Sequence, residues 1–350
     1  MKKDLDVLFY KELVSPFNQS KVLLHKDKLY ELQKQDIVVP VCCEIDLTDG
    51  FCNNKCRHCF FSTNTKNTPI IMQLDRLKSV LEELKALGVK AIEFSGGGEP
   101  TTHPDIVDII NYTYNLGFDI GIVTNGNLLN KLYSVLDKFS FIRISLDSAS
   151  PDTYEKVHGV NTFDIVINNI RGAVDLIGGN KIGIGYLIVP HNKEDIISCV
   201  KLARNLGCRF IQYRPASLEK SVDNSYWHSA YEEVKKAESY ATSNFQVFNA
   251  GIKWGHLSQE RNYHKCSTSS LVAVIKANGD VPLCVLKRNE KENILGNIYQ
   301  NSFKDIYFSH KHLDIIHNND LSKCRKPCKH DSYNIMFESL KSHLLHENFI

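Results

Sequence analysis

The sequence has no excess of charge of either sign: 42 Lys and Arg stand against 40 Asp and Glu, for a formal net charge of +2. That excludes the strongly basic surface of a protein built to bind nucleic acid or an acidic membrane. It also lacks any apolar run near the ~20 residues that span a bilayer. The start, MKKDLDVLFYKELV, puts an acid directly after two lysines, and no long apolar core or small-residue cleavage site follows. No secretory signal is read there, and a cytoplasmic protein is expected. No internal repeat and no low-complexity tract is found. A fully paired disulfide framework is excluded as well, because the 11 cysteines are an odd number and the cytoplasm is reducing. The thiols are left as metal ligands, catalysts or core residues.

What is present is alternation. Short runs rich in β-branched residues, 38–47, 90–96, 119–124, 141–147, 181–189 and 208–214, are followed by helical patterns at 73–87, 105–116, 128–138, 163–177 and 194–206. Several of these patterns end on glycine, at Gly88, Gly117 and Gly207, as left-handed helix caps do. Strand–helix–strand alternation implies a parallel α/β sheet. Six units are fewer than the eight of a closed barrel, so the fold class expected is a partial (β/α)6 TIM-type barrel. Its active-site groups would sit at the C-terminal strand ends. After about residue 217 the rhythm changes. A helical segment at 225–242 leads into irregular chain, 270–285 (SLVAVIKANGDVPLCV) reads as a β-hairpin turning at Asn278-Gly279-Asp280, and a helix follows near 302–317. The expected organisation is an N-terminal extension over 1–37, a barrel over 38–216 and a small α+β appendage over 217–350.

Residues 50–61, GFCNNKCRHCFF, hold Cys52, Cys56 and Cys59 directly after the first expected strand. Asn, Lys, Arg and His between them do not suit a core. A zinc site usually takes four ligands in two separated pairs. Three thiols this close can reach different corners of one iron–sulfur cluster. Three ligands leave one iron open, and an open metal position is what catalysis requires.

The C-x3-C-x2-C pattern after the first strand of a partial barrel resembles the radical S-adenosylmethionine (SAM) superfamily. The resemblance spans about 40–215 and, through the appendage, about 260–335. It implies a [4Fe–4S] cluster on Cys52, Cys56 and Cys59 whose open iron is chelated by SAM, with reductive cleavage to a 5′-deoxyadenosyl radical that abstracts a substrate hydrogen. It implies further that Gly97, Gly98 and Glu99 of SGGGEP meet the SAM ammonium, that Asn125 of TNG faces the site, and that Ser145 and Asp147 of RISLDSASPDTYEKVHG form the ribose- and carboxylate-binding segment. Asp147 has a turn-capping role open to it instead. Gly185, with Gly183, would pass under the adenine or simply ease packing. His58 stands where an aromatic ring often faces adenine, and Tyr213 and Arg214 end the sixth strand within reach of SAM or substrate.

Cys266, Cys284, Cys324 and Cys328 resemble the shortened auxiliary-cluster domain, the twitch type related to SPASM, which implies a second [4Fe–4S] cluster. Zinc is the alternative on ligand type. Cys42, Cys43, Cys199 and Cys208 read as structural, and Asp331 as a helix cap or a proton-transfer group. The expected function is a radical SAM enzyme that oxidises, deoxygenates or epimerises a small polar metabolite: a sugar, an aminosugar or an aminocyclitol. A flavodoxin- or ferredoxin-like electron donor would serve it, and neither nucleic acid nor membrane is expected as a partner. The alternative is a maturase that cross-links or epimerises a ribosomal peptide, though 1–37 is short for a peptide-binding winged helix. A non-catalytic iron–sulfur or zinc module is the remote third reading, and it leaves the GGE and SLDS segments without a task.

Overall fold

The computed structural model describes residues 19–61, 69–216, 224–250, 254 and 260–341. The first part of the expected N-terminal extension, the junction expected at 217 and the last residues of the appendage lie outside that set. Eight strands make one parallel sheet: β1 (Cys42–Asp46), β2 (Ala91–Ser95), β3 (Asp119–Thr124), β4 (Phe141–Ser145), β5 (Ile182–Ile188), β6 (Phe210–Pro215), β7 (Gln246–Asn249) and β8 (Val272–Ile275). Their order is β8-β1-β2-β3-β4-β5-β6-β7. The first six are the strands expected from sequence. The last two come from beyond residue 216 and extend the sheet at both edges, β8 pairing with β1 from Cys42↔Val272 to Ile45↔Ile275. The fold is thus α/β, a TIM-type partial barrel with a small C-terminal unit of short strands and helices.

Alternation along the strands sorts the two faces. Cys43 and Ile45, Ile92 and Phe94, Ile142 and Ile144, and Ile211 and Tyr213 are buried on the helix-covered face. The residues between them, Glu44, Glu93, Arg143 and Gln212, share the inner face. The helix Leu74–Leu87 shows how the outer layer forms: Leu77, Val80, Leu81 and Leu84 give it one apolar stripe, and Gly88 at φ 93° ends it.

Two expectations are corrected here. Residues 270–285 are not a hairpin. The turn at Gly279 joins β8, in the main sheet, to β9 (Asp280–Pro282), which pairs antiparallel with β10 (Ile294–Asn297). Edge pairing with β1 outcompetes the local turn. The segment Leu129–Lys138 winds as a 3-10 helix rather than an α-helix. Its buried Leu129, Leu132 and Val135 are three apart, the period of the tighter coil. A helix that the sequence reading passed over, Pro151–His158, follows β4. Ser150 caps it by accepting from Thr153 N at 3.3 Å, and Pro151 opens it. Among the described residues no helix is long and apolar enough to cross a membrane.

Candidate functional site

The loop after β1 carries the first three cysteines over the C-terminal edge of the sheet. It is stitched down on three sides. Toward β2, Gly50 N donates to Gly97 O at 3.2 Å and Glu99 N to Phe51 O at 2.8 Å. Toward β3, Asn125 Nδ2 donates to Asn53 Oδ1 at 2.6 Å and Asn127 Nδ2 to Asn54 Oδ1 at 2.7 Å. Toward the helix Pro151–His158, Lys55 N donates to His158 O at 2.8 Å and Asn54 Nδ2 to Tyr154 Oη at 3.4 Å. Four asparagines therefore hold the loop, and this explains why polar residues fill the spacing between the thiols.

Cys52 stands at the exposed rim, with Cys56 and Cys59 half-buried. Cys52 Sγ accepts from Asn54 N at 3.4 Å and from Asn125 Nδ2 at 3.7 Å. Cys56 Sγ lies 3.1 Å from His158 Nδ1. His158 Nε2 lies 3.0 Å from Leu146 O, a carbonyl that only accepts, so Nε2 carries the proton and Nδ1 receives the thiol's. Burial holds His158 neutral, with its pKa lowered to about 4. Burial, followed by the charges of Cys59, Asp147 and Cys52, pushes the Cys56 thiol up. Burial raises the Cys52 thiol as well, and a cluster would supply the positive charge that favours both thiolates. No three such donors among the described residues converge tightly enough for a single metal ion. The spread trio, with two N–H donors on the Cys52 sulfur, fits a polynuclear cluster instead.

The glycines before Glu99 have steric work to do. A methyl on Gly97, at φ 67°, would lie 2.4 Å from Thr48 O, and one on Gly98 2.2 Å from Phe51 O. The cysteine loop rests directly on them. Glu99 is buried. Its Oε1 accepts from Thr101 N at 3.1 Å and from the hydroxyls of Thr101 and Thr124, each at 2.6 Å, and its Oε2 accepts from Asn125 N at 2.8 Å. Glu99 thus locks the ends of β2 and β3 together, with burial raising its pKa against these bonds.

Asp147, at φ 53°, is also buried. Its Oδ1 accepts from Leu187 N at 2.6 Å, and its Oδ2 lies 3.9 Å from His58 Nε2 and 3.7 Å from His158 Nε2. His58, Asn125 and Asp147 therefore gather at the cysteine loop. Ser145 and Gly185 are register partners on the inner face below it. Gly183 is covered by the ring of Phe210, 2.2 Å from where its Cβ would be. Tyr213 and Arg214 part company. Tyr213 is buried on the helix-covered face, its hydroxyl donating to Ile196 O at 2.7 Å, while Arg214 turns inward. Sequence reasoning missed His158, Tyr154, Asn54 and Asn127, although His158 ends the segment already singled out.

Cys266, Cys284, Cys324 and Cys328 line one cavity with Arg261 and Tyr263, about 370 Å³ of empty volume with its mouth included. Burial raises all four thiols, Cys328 to about 12, and each also feels the charge of others in the set or of nearby groups. Asn334 Nδ2 donates to Cys266 Sγ at 3.3 Å and His330 N to Cys328 Sγ at 3.4 Å. Asp331 is a pin: it accepts from Arg261 Nε at 2.7 Å, Tyr263 Oη at 2.5 Å and Cys328 N at 3.0 Å. The two cysteine regions touch. Arg288 pairs with Asp46 of β1 and lies 4.5 Å over the Phe61 ring, and Arg325 lies 4.6 Å over Phe60. Lys329 pairs with Glu44.

The family model described as the Radical SAM superfamily matches residues 48–209, and one described as an iron–sulfur cluster-binding domain, SPASM, matches 266–330. A curated "Probable GTP 3′,8-cyclase" of Saccharolobus islandicus (strain M.14.25 / Kamchatka #1) is 29% identical over 195 residues, 54% of this chain and 61% of the relative. One from Methanocaldococcus jannaschii is 28% identical over 202 residues, 55% and 66% of the two chains. The chain thus spans under two thirds of the length of these relatives. Among solved structures, Streptococcus suis SuiB bound to its precursor peptide SuiA matches with TM-score 0.66 at 20% identity, over 87% of this chain and 73% of that one. Native anSMEcpe with bound AdoMet matches with TM-score 0.60 at 18% identity, over 79% and 83%. At these identities the likeness to the solved structures is one of fold.

Proposed function

Because the chain belongs to the radical SAM superfamily and carries a C-terminal SPASM-type iron–sulfur domain, we propose that it performs radical chemistry on a small polar metabolite. The class is a sugar, aminosugar or aminocyclitol, and the outcome is oxidation, deoxygenation or epimerisation. The observation that carries this reading is the inner face of the sheet. Below the cysteine loop it presents Glu44, Glu93, Arg143, Gln212 and Arg214, ionic and amide groups where a packed barrel would carry branched apolar ones. Such a lumen favours a small, highly polar guest.

Cys52, Cys56 and Cys59 hold the SAM-cleaving cluster, and Cys266, Cys284, Cys324 and Cys328 hold the auxiliary one. When bound, the first cluster and SAM supply a 5′-deoxyadenosyl radical for hydrogen abstraction. The chain's own residues set the stage. The asparagines and His158 fix the cysteine loop before the cluster arrives. Gly97 and Gly98 let that loop lie flat on the strand ends. Glu99, saturated on Oε1, keeps one lone pair on Oε2 for the SAM ammonium while it clamps β2 to β3. Ser145 and Asp147 would bind the ribose and carboxylate of SAM. Arg288, buried between the two cysteine regions, keeps them in register and helps exclude water from the space between.

The test is anaerobic. The protein is reconstituted with iron and sulfide, iron is counted, and 5′-deoxyadenosine is measured with dithionite and SAM. About eight irons per chain and deoxyadenosine formation are expected for two cubanes. Tightly bound zinc without SAM cleavage would sink the reading. Small-molecule and peptide fractions of a cell extract are then compared as stimulants of deoxyadenosine formation. Stimulation by the peptide fraction alone would replace the metabolite with a ribosomal peptide.

A further inference from the structure

The inner face holds two like-charged pairs. Glu44 and Glu93 are register partners on β1 and β2. Arg143 and Arg214, from β4 and β6, converge over β5 at Gly185. A methyl group there would lie 3.3 Å from Arg143 Cγ and Cδ and 3.4 Å from Arg214 Nη2, so the glycine leaves both guanidiniums their room. Glu44 is neutralised by Lys329. The other charges meet only through space: Arg143 and Arg214 feel the carboxylates of Glu93 and Asp147 without a hydrogen bond to either among the described residues. Arg143 makes one hydrogen bond among the described residues, Nη1 to Gln212 Oε1 at 3.2 Å. Arg214 makes none, and the Nε atoms of both arginines are buried without a partner. Among the described residues no hydrogen bond reaches Glu93 either.

A guanidinium carries five donors in a rigid fork that matches carboxylate and phosphate oxygens. Buried donors are almost always satisfied, and two half-buried guanidiniums side by side favour a counter-anion. Among the described residues no carboxylate stands at hydrogen-bonding distance from these arginines. We propose that Arg143 and Arg214 form a receptor for an anionic group of the substrate, a carboxylate or a phosphate, and that Glu93 on the facing wall receives its hydroxyl or amino groups. This rests on the metabolite reading above and narrows it to an acidic metabolite. Arg143 starts two residues below Ser145, about 7 Å deeper along its strand than the mouth, and so serves a guest lying under the cofactor.

The experiment uses the reconstituted holoenzyme with SAM bound. Melting temperature is followed against inorganic phosphate and against acetate, with chloride at the same ionic strength as reference. At least one probe is expected to stabilise the protein saturably beyond chloride, and Arg143→Gln and Arg214→Gln are expected to weaken that probe at least tenfold. A response to phosphate alone assigns a phosphorylated substrate, and one to acetate alone a carboxylic acid. Should the glutamine variants fail to load iron, Arg143→Lys and Arg214→Lys carry the test. They keep charge but lose the fork, and a loss of threefold or more is expected. Neither probe exceeding chloride overturns the proposal, as do variants that bind the probe like wild type. So does a fall in SAM affinity as large as the fall in probe affinity, which would hand the guanidiniums to the cofactor. Anion binding together with a peptide-only substrate would overturn the metabolite reading and leave the receptor standing.

Discussion

The two cysteine regions gather their thiols by opposite routes. The first is local. Its thiols fall within one loop, 52–59, and neighbouring strand ends hold that loop through amide side chains. The second is dispersed. Its four thiols come from three stretches more than sixty residues apart at the extremes, and an internal pin at Asp331 gathers two of those stretches. A local site is legible as spacing and needs little beyond its loop. A dispersed site exists only when the surrounding fold does. The largest expected effect separates them by function. Cys56→Ala is expected to abolish SAM cleavage, whereas Cys284→Ala is expected to leave at least part of that cleavage and stop substrate turnover. Chromatography of 5′-deoxyadenosine and product reads both. Cleavage surviving in Cys56→Ala would end the comparison altogether.

The next effect tests the seam between the regions. Arg288 and Asp46 are both buried, each side chain 2% exposed. Removing one partner strands the other charge away from water, so Arg288→Met is expected to cost about 3–5 kcal/mol. The double variant Arg288→Met with Asp46→Leu removes both charges and should recover most of that loss. Chemical denaturation of the four proteins measures it. If the double variant is as unstable as the single one, the pair contributes through Arg288's stacking on Phe61 rather than through charge.

A third effect appears in both regions, since burial lowers His158 as it lowers His312, and His312 reads it away from the cysteine loop. His312 is buried, donates from Nδ1 to Tyr307 O at 2.6 Å and has its pKa lowered to about 4 by burial. The unfolded chain, at about 6.5, takes up the proton first. Stability is therefore complete above about pH 6.5 and is lost as the pH falls toward 4, by about 3 kcal/mol at most. His312→Gln should flatten this part of the acid profile. An unchanged slope between pH 6.5 and 4 would show that other groups set it.

The same contrast between local and distant information decides what could be read in the sequence. Six strands were legible because β-branched runs alternate with helical patterns, and the first cysteine set because its spacing is compact. The strand β8 was not. VAVI followed by Asn278-Gly279-Asp280 has every local mark of a hairpin, and its true partner is β1, some 230 residues earlier. Tyr213 and Arg214 were read as one contact point, yet adjacent strand residues face opposite ways. Arg143, Arg288 and Lys329 drew no reading from the sequence, because their partners lie far off in the chain. Asp331, by contrast, was noticed beside the second cysteine set, and its bonds to Arg261, Tyr263 and Cys328 give it a holding role.

The smallest effect sharpens the comparison most. Ser150 and Ser309 are equivalent caps. Each accepts from the backbone N–H three residues on, Thr153 at 3.3 Å and His312 at 3.2 Å. Replacing either by alanine should cost about 1 kcal/mol of stability. Their consequences should still differ. The helix after Ser150 ends in His158, which touches Cys56 and bonds Lys55 through its carbonyl. Among the described residues the helix after Ser309 is not in contact with the 52–59 loop; at its C-cap Asn319 Nδ2 lies 4.0 Å from Cys324 Sγ of the second set. Ser150→Ala is therefore expected to speed iron loss from the 52–59 loop, followed as decay of SAM cleavage under a chelator, and Ser309→Ala to leave that decay as in wild type at the same cost in melting temperature. Equal rates of that decay in the two variants would mean that the cysteine loop is held by the asparagines of β3 alone, and that the helix Pro151–His158 only covers it.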